Sequence, residues 1–320
     1  MRAIAFIGIA LLAVAVSGCQ SWSVISAKKL EPGTSKTAWT VAVPITKAST
    51  QKNTGELSQW EQLFGTSSAA TSYQNYCFKT AGTKGLGSFG AAIAVAMGGV
   101  AWDLAVDAAN SKIEKIQEQS VQSWSATWTP TPSDLKTTEC LALVRYTDAK
   151  TPDPQMAVLL MIQPAATGKS GVEAVQFAPL MVRSKSSVAL TKDEGDGSGK
   201  IGLSIAPAIS SFHDGELKDA TPDAISIGDV TVTSLGKNAD GYLKKVGTAT
   251  HNGDLSTLAY TKPSVYSTSG ALHLKFAVVE TGTLAGKDTK AKAELKAVTD
   301  ALGPIAKDAL KKRILGDDAK

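Results

Sequence analysis

Histidine and cysteine are scarce in this 320-residue chain, three of each, and that scarcity limits the chemistry it can support. His213, His251 and His273 form no HxxxH or HxH pair, so a metal site or catalytic triad built on them would have to assemble wholly in three dimensions, and isolated histidines are the plainer reading. No cysteine has a second at CxxC spacing, which argues against thiol redox catalysis and against a cysteine zinc site. A GxSxG nucleophile elbow is also missing, and serines are too frequent for any one to stand out. Aromatic residues make up only 6% of the chain and charged residues 19%. Basic residues outnumber acidic ones by 33 to 29, too small an excess on so long a chain to suggest nucleic acid. Alanine, serine, threonine, glycine and valine fill the space instead, a composition common in secreted β-rich proteins. No catalytic residue, metal or cofactor is assigned.

Three short motifs fail on context. Gly85, Gly87 and Gly90 spell GxGxxG, but the dinucleotide fingerprint needs an apolar strand running into its first glycine, and Gly82, Thr83 and Lys84 intervene. They read as a flexible entry to a helix. Gly168, Lys169 and Ser170 imitate the end of a phosphate-binding loop, yet its leading glycine is replaced by Gln163, and a hairpin tip is expected. Asp193, Glu194 and Asp196 lie among glycines like a calcium loop but lack the twelfth-position glutamate, which is Ser204, so a mobile acidic turn is expected. Trp124 and Trp128 would share one face of a strand. Exposed, they would make a carbohydrate or peptide platform; buried, they would anchor a core, which is the expectation.

Periodicity predicts an α+β protein: an antiparallel β-sandwich core, a long Gly/Ala-rich helix before it and a C-terminal helix packed on it. Leu57, Trp60, Leu63 and Phe64 recur at helical spacing, and Tyr73 to Thr80 reads as a short strand carrying Cys77. Residues 85–102 contain no charge, and the long helix is predicted over Ser88 to Gln119. Its Gly90, Ala94 and Gly98 place small side chains on one face, a candidate helix-contact surface. Three readings stay open for 85–102: a helix buried against a sheet, a seam between protomers, or insertion into a bilayer. Period-two runs follow at Gln122 to Thr129, Glu139 to Thr147, Gln155 to Gln163, Val172 to Leu190, Lys200 to Ile209, Ala224 to Leu235, Leu258 to Ser267 and Leu272 to Thr281, separated by turn residues. The segment after Leu284 returns to helical spacing, divided at Gly303 and Pro304, with a basic excess that suits anionic lipid, an acidic partner or a solvated outer face.

The first residues carry the one specific signature. Arg2 supplies a positive start, Ile4 to Val16 an apolar run, and Val16, Ser17, Gly18 and Cys19 a small-residue cleavage site ending in cysteine. These 20 residues resemble the lipobox signal peptide of secreted bacterial lipoproteins. The resemblance implies cleavage before Cys19, a diacylglyceryl thioether on its sulfur and acylation of the new amino group. With about 0.8 kcal/mol per buried CH₂, two or three such chains hold a protein durably on a membrane. In a Gram-negative host, Gln20 rather than aspartate after the cysteine favours the outer membrane, facing the periplasm. The expected organisation is a signal peptide over 1–18, a tether over 19–36, a strand and helix region over 37–120, the sandwich over 121–283 and a helical segment over 284–320. In that oxidising compartment Cys77 and Cys140 are expected to form a disulfide, with two buried thiols as the alternative.

The functional expectation is a lipid-anchored, non-catalytic binding or assembly component, partnered by the membrane and by a second copy or another envelope protein. The alternatives are an envelope hydrolase with a dispersed active site and an oligomeric membrane-inserted element formed through the 85–102 helix.

Overall fold

The alternating segments after residue 120 pair into two antiparallel sheets in a computed structural model that describes residues 27–30, 32–33, 39–51, 57–78, 115–147, 152–165, 167, 171–213, 216–220, 224–246 and 258–285. The strands are β1 (Lys29–Leu30), β2 (Thr40–Ile45), β3 (Val121–Trp128), β4 (Cys140–Tyr146), β5 (Pro154–Ala165), β6 (Val172–Ser184), β7 (Thr191–Lys192), β8 (Ser198–His213), β9 (Glu216–Ala220), β10 (Ile225–Thr233), β11 (Tyr242–Lys245), β12 (Ser264–Ser267) and β13 (Leu272–Gly282). One sheet runs β11-β6-β5-β4-β2 with β12 also on β6; the other runs β10-β8-β13-β3 with β9 on β8. β1 and β7 form a two-stranded strap.

The six-stranded sheet is buried on both faces, which explains why β4 and β5 read as continuous apolar runs without alternation. Leu141, Leu143, Val158 and Leu160 point into a cluster shared with Leu203, Ile205, Leu274 and Phe276 of the second sheet. Across it, Phe177 and Phe276 meet edge to face at 5.1 Å, a contact of about 0.5–1.5 kcal/mol beyond its area. The intervening side chains Ala142, Val144, Ala157 and Leu159 face the opposite way, into a second cluster with Trp60, Leu63, Phe64 and Tyr73. A register shift between Leu159 and Leu160, opposite Pro179 of β6, adds one residue to β6. It leaves Leu180 and Met181 together in the outer cluster and returns Val182 to the inner one.

The outer cover is made by a 3-10 turn (Lys47–Thr50), α1 (Gln59–Phe64) and α2 (Ser68–Cys77). Ser58 and Glu61 form a capping box at the start of α1. Of the strand expected over Tyr73 to Thr80, the residues Tyr73 to Cys77 are instead the second half of α2, and residues 79–80 lie outside the described residues. Ser67 accepts from the Ala70 amide at its start, and Ala70, Tyr73 and Cys77 recur at helical spacing on its buried face. A further helix, α3 (Pro132–Thr137), starts on Thr131 and Asp134 as a reciprocal cap with Pro132 at its first turn.

Two expected strands shorten. β6 stops at Ser184, because residues 185–190 leave the sheet and cross toward β7, and β12 spans only Ser264–Ser267. His213 is the last residue of β8, whose backbone pairs with β9. Residues 115–119, the described part of the segment expected as a helix over 88–119, are helical. The rest of that helix, with Gly90, Ala94 and Gly98, lies outside the described residues, as do Cys19, Gly168 to Ser170, His251 and the chain after 285. Among the described residues no helix is long and apolar enough to cross a membrane.

Candidate functional site

Cys77 closes α2, Cys140 opens β4, and the two are joined in a disulfide with their Cα atoms 5.4 Å apart. With a sequence separation of 63, the chain-entropy account gives this link about 4 kcal/mol of stabilisation. Beside it opens a cleft of about 550 Å³. Pro44 and Ile45 from β2, Phe78 after α2 and Trp128 at the end of β3 supply apolar walls, while Lys47, Asp134, Thr137, Thr138 and Glu139 supply polar ones. Asp134 is held below the usual carboxylate range, first by the Thr131 amide and then by the Thr131 hydroxyl, at 2.9 and 2.8 Å. The cleft therefore combines an indole, three hydroxyls (Thr46, Thr137, Thr138), two carboxylates and one ammonium group, a donor and acceptor set suited to binding a polar molecule that has an apolar face.

The opposite end of β3 holds the most polar part of the interior. Glu280 of β13 is fully buried, and Oε1 accepts from Trp124 Nε1 at 2.8 Å and lies 3.3 Å from Arg145 Nη2. Its Oε2 accepts from Ser187 Oγ at 2.6 Å and the Val188 amide at 2.7 Å. Arg145 Nη2 also donates to the Ser186 carbonyl at 2.6 Å. One carboxylate thus joins β4 of one sheet, β3 and β13 of the other and the crossing segment between them. This set of contacts is a clasp, since its partners are backbone and side chains of the fold itself.

The expected candidates separate in the structure. Trp124 is buried with its indole committed to Glu280, whereas Trp128 is half-buried and lines the cleft, so the pair shares a face but not a role. Asp193 and Asp196 do lie in a turn, between β7 and β8, but hydrogen bonds fix it. Asp193 Oδ1 accepts from the Gly195 and Gly197 amides at 2.8 and 3.1 Å, its Oδ2 pairs with Lys28 at 2.6 Å, and Asp196 accepts from the Ser198 amide and hydroxyl. Gly195 and Gly197 adopt φ of 111° and 81°, which explains glycine at both places. His273 is exposed on β13, its Nδ1 3.4 Å from Thr129 Oγ1. Among the described residues no group of three or more His, Cys, Asp or Glu side chains could hold a metal ion.

The sequence reading missed the cleft and the clasp. Thr131, Pro132 and Asp134 form a readable cap signature that would have placed α3 beside Trp128. Arg145 and Glu280 are 135 positions apart on strands of different sheets, and no local pattern connects them. Comparison with protein-family models, with curated proteins and with solved structures finds no match to this chain.

Proposed function

We propose that this protein is a lipid-anchored component of a bacterial cell envelope, held by acyl chains on Cys19, whose β-rich body serves binding or assembly without catalysis. The observation that carries the envelope reading is the Cys77–Cys140 disulfide. A long-range structural disulfide is characteristic of chains exported to an oxidising compartment, which is where the lipobox resemblance sends this one. The cleft beside the disulfide supports the binding reading, because its polar and apolar walls come from four separate elements fixed on a rigid sheet. In this account the two sheets are the layers of an antiparallel β-sandwich, sharing the core around Phe177 and Phe276. A Gly/Ala-rich helix precedes it and a C-terminal helix packs on it.

Crosslinking from the cleft rim tests this function. A photoreactive residue at Thr137, exposed at the cleft, should give a defined crosslinked product in the native envelope, and Trp128→Ala should abolish it. A chain that remains monomeric and captures nothing from this position contradicts the binding reading.

A further inference from the structure

The strand registers sort the body into two ends, and the three chain segments that lead out of the described residues toward membrane-related sequence meet at one of them. Ala27, Ile116, Leu190 and Leu284 form a small apolar cluster at the Val121 end of β3, where the Gly282 amide donates to the Ser120 carbonyl and the Leu190 amide to the Gln119 carbonyl. Ala27 continues back to Cys19, Ile116 to the charge-free residues 85–102, and Leu284 forward to the basic C-terminal segment. Eight residue steps separate Cys19 from Ala27, and a chain of that length extends to about 28 Å at most. The cleft is at the other end of β3, an eight-residue strand of about 24 Å.

The surface chemistry of the Val121 end supplies an independent observation. Five large apolar side chains are exposed among the described residues, and three of them, Trp39, Leu235 and Tyr242, belong to this end. Trp39 stacks on Tyr146 at 4.2 Å beside Arg145; Leu235 follows Thr233, which pairs with Ser198; Tyr242 pairs with Ser184, whose hydroxyl bonds the Thr231 carbonyl. The exposed lysines Lys115, Lys192 and Lys237 accompany them, in equal number with the exposed acids Glu118, Asp196 and Asp240. Asp193 and Glu194 of the neighbouring turn are each paired with a lysine, Lys28 and Lys200. Exposed indole and phenol rings interleaved with lysines match the headgroup level of a bilayer, where amphipathic rings and cations are both favoured.

We propose that this end is the membrane-contacting face. The body rests on the anionic leaflet that holds its acyl chains, with Trp39, Leu235 and Tyr242 at headgroup depth and the cleft directed away from the surface. The proposal builds on the lipid-anchored reading and adds an orientation to it.

Orientation can be read with a bimane fluorophore on single introduced cysteines in the full acylated chain, since Cys19 is acylated and Cys77 and Cys140 stay bonded to each other. Leu235→Cys marks the proposed contact face and Ser133→Cys, exposed on α3, marks the cleft end. In vesicles of phosphatidylethanolamine and phosphatidylglycerol carrying headgroup nitroxide lipids, quenching should be several-fold stronger at 235 than at 133. Equal quenching, or the reverse order, overturns the proposal. So does quenching at neither position, the outcome if a second protein or another copy of the chain covers this end. Release of a Cys19→Ser chain from membranes tests the anchor separately: retention with the same quenching order refutes the lipid reading and leaves the contact face standing.

Discussion

At the scale of single residues, Glu280 has the greatest consequence. It is fully buried, and four groups from three parts of the chain converge on its two oxygens. A buried pair of this kind contributes little net stability over a well-packed apolar substitute, but removing one member leaves the other charge uncompensated in the interior. Glu280→Ala should therefore lower the unfolding free energy by about 3–5 kcal/mol, measured by urea denaturation. Glu280→Gln, which keeps an acceptor for Trp124 or Ser187, should cost less. A Glu280→Ala protein as stable as the parent would show that the clasp does not hold the sheets together. Nothing in the local sequence announces this residue: Lys275 to Thr281 reads as an ordinary strand with one carboxylate at its end, and only the folded chain brings Arg145 to it.

At the scale of elements, the turn between β7 and β8 ties the N-terminal strap to the body and gives it a pH dependence. The Asp193 carboxyl is held below its ordinary value, first by the hydrogen bond to Lys28 and next by the Gly195 amide. A carboxyl with a lowered folded pKa takes up a proton more readily in the unfolded chain, so its stabilisation is complete above the unfolded value of about 3.9 and disappears as pH falls through the lowered folded one. The stability difference between the parent and Asp193→Asn, followed by urea midpoints, should be constant near neutrality and shrink in acid below the usual carboxylate range. A difference that grows in acid would contradict the assignment. The elements legible in sequence were those whose burial matched a simple period: β3, β4, β5, β8, β10 and β13 appear close to where alternation or apolar runs put them. The second half of α2 was misread because Tyr73, Tyr76, Cys77 and Phe78 are residue types that favour strands, and packing under the six-stranded sheet overrides that preference. β6 is shorter than its sequence predicts because the crossing segment after it is as buried as a strand, its backbone satisfied by scattered hydrogen bonds with Gln155, Thr233, Gln119 and the Glu280 carboxylate instead of by a continuous ladder.

At the scale of the whole molecule, the separation of ends gives the protein its logic. The cleft and the disulfide occupy one end of β3, and the chain leading back to Cys19 leaves from the other. The cleft is illegible in sequence because β2, α2, β3 and α3 each contribute only one to four residues to it, and none carries a motif. The proposed anchor rests on the opposite kind of signal: signal-peptide recognition acts on a short contiguous stretch of chain, so its information is local. The account stands on that anchor, and intact-mass analysis of the protein purified from its own membranes tests it most directly. The chain should begin at Cys19, lacking residues 1–18 and carrying the mass of a diacylglyceryl group and an amide-linked acyl chain; a chain that retains residues 1–18, or whose Cys19 is unmodified, would contradict it.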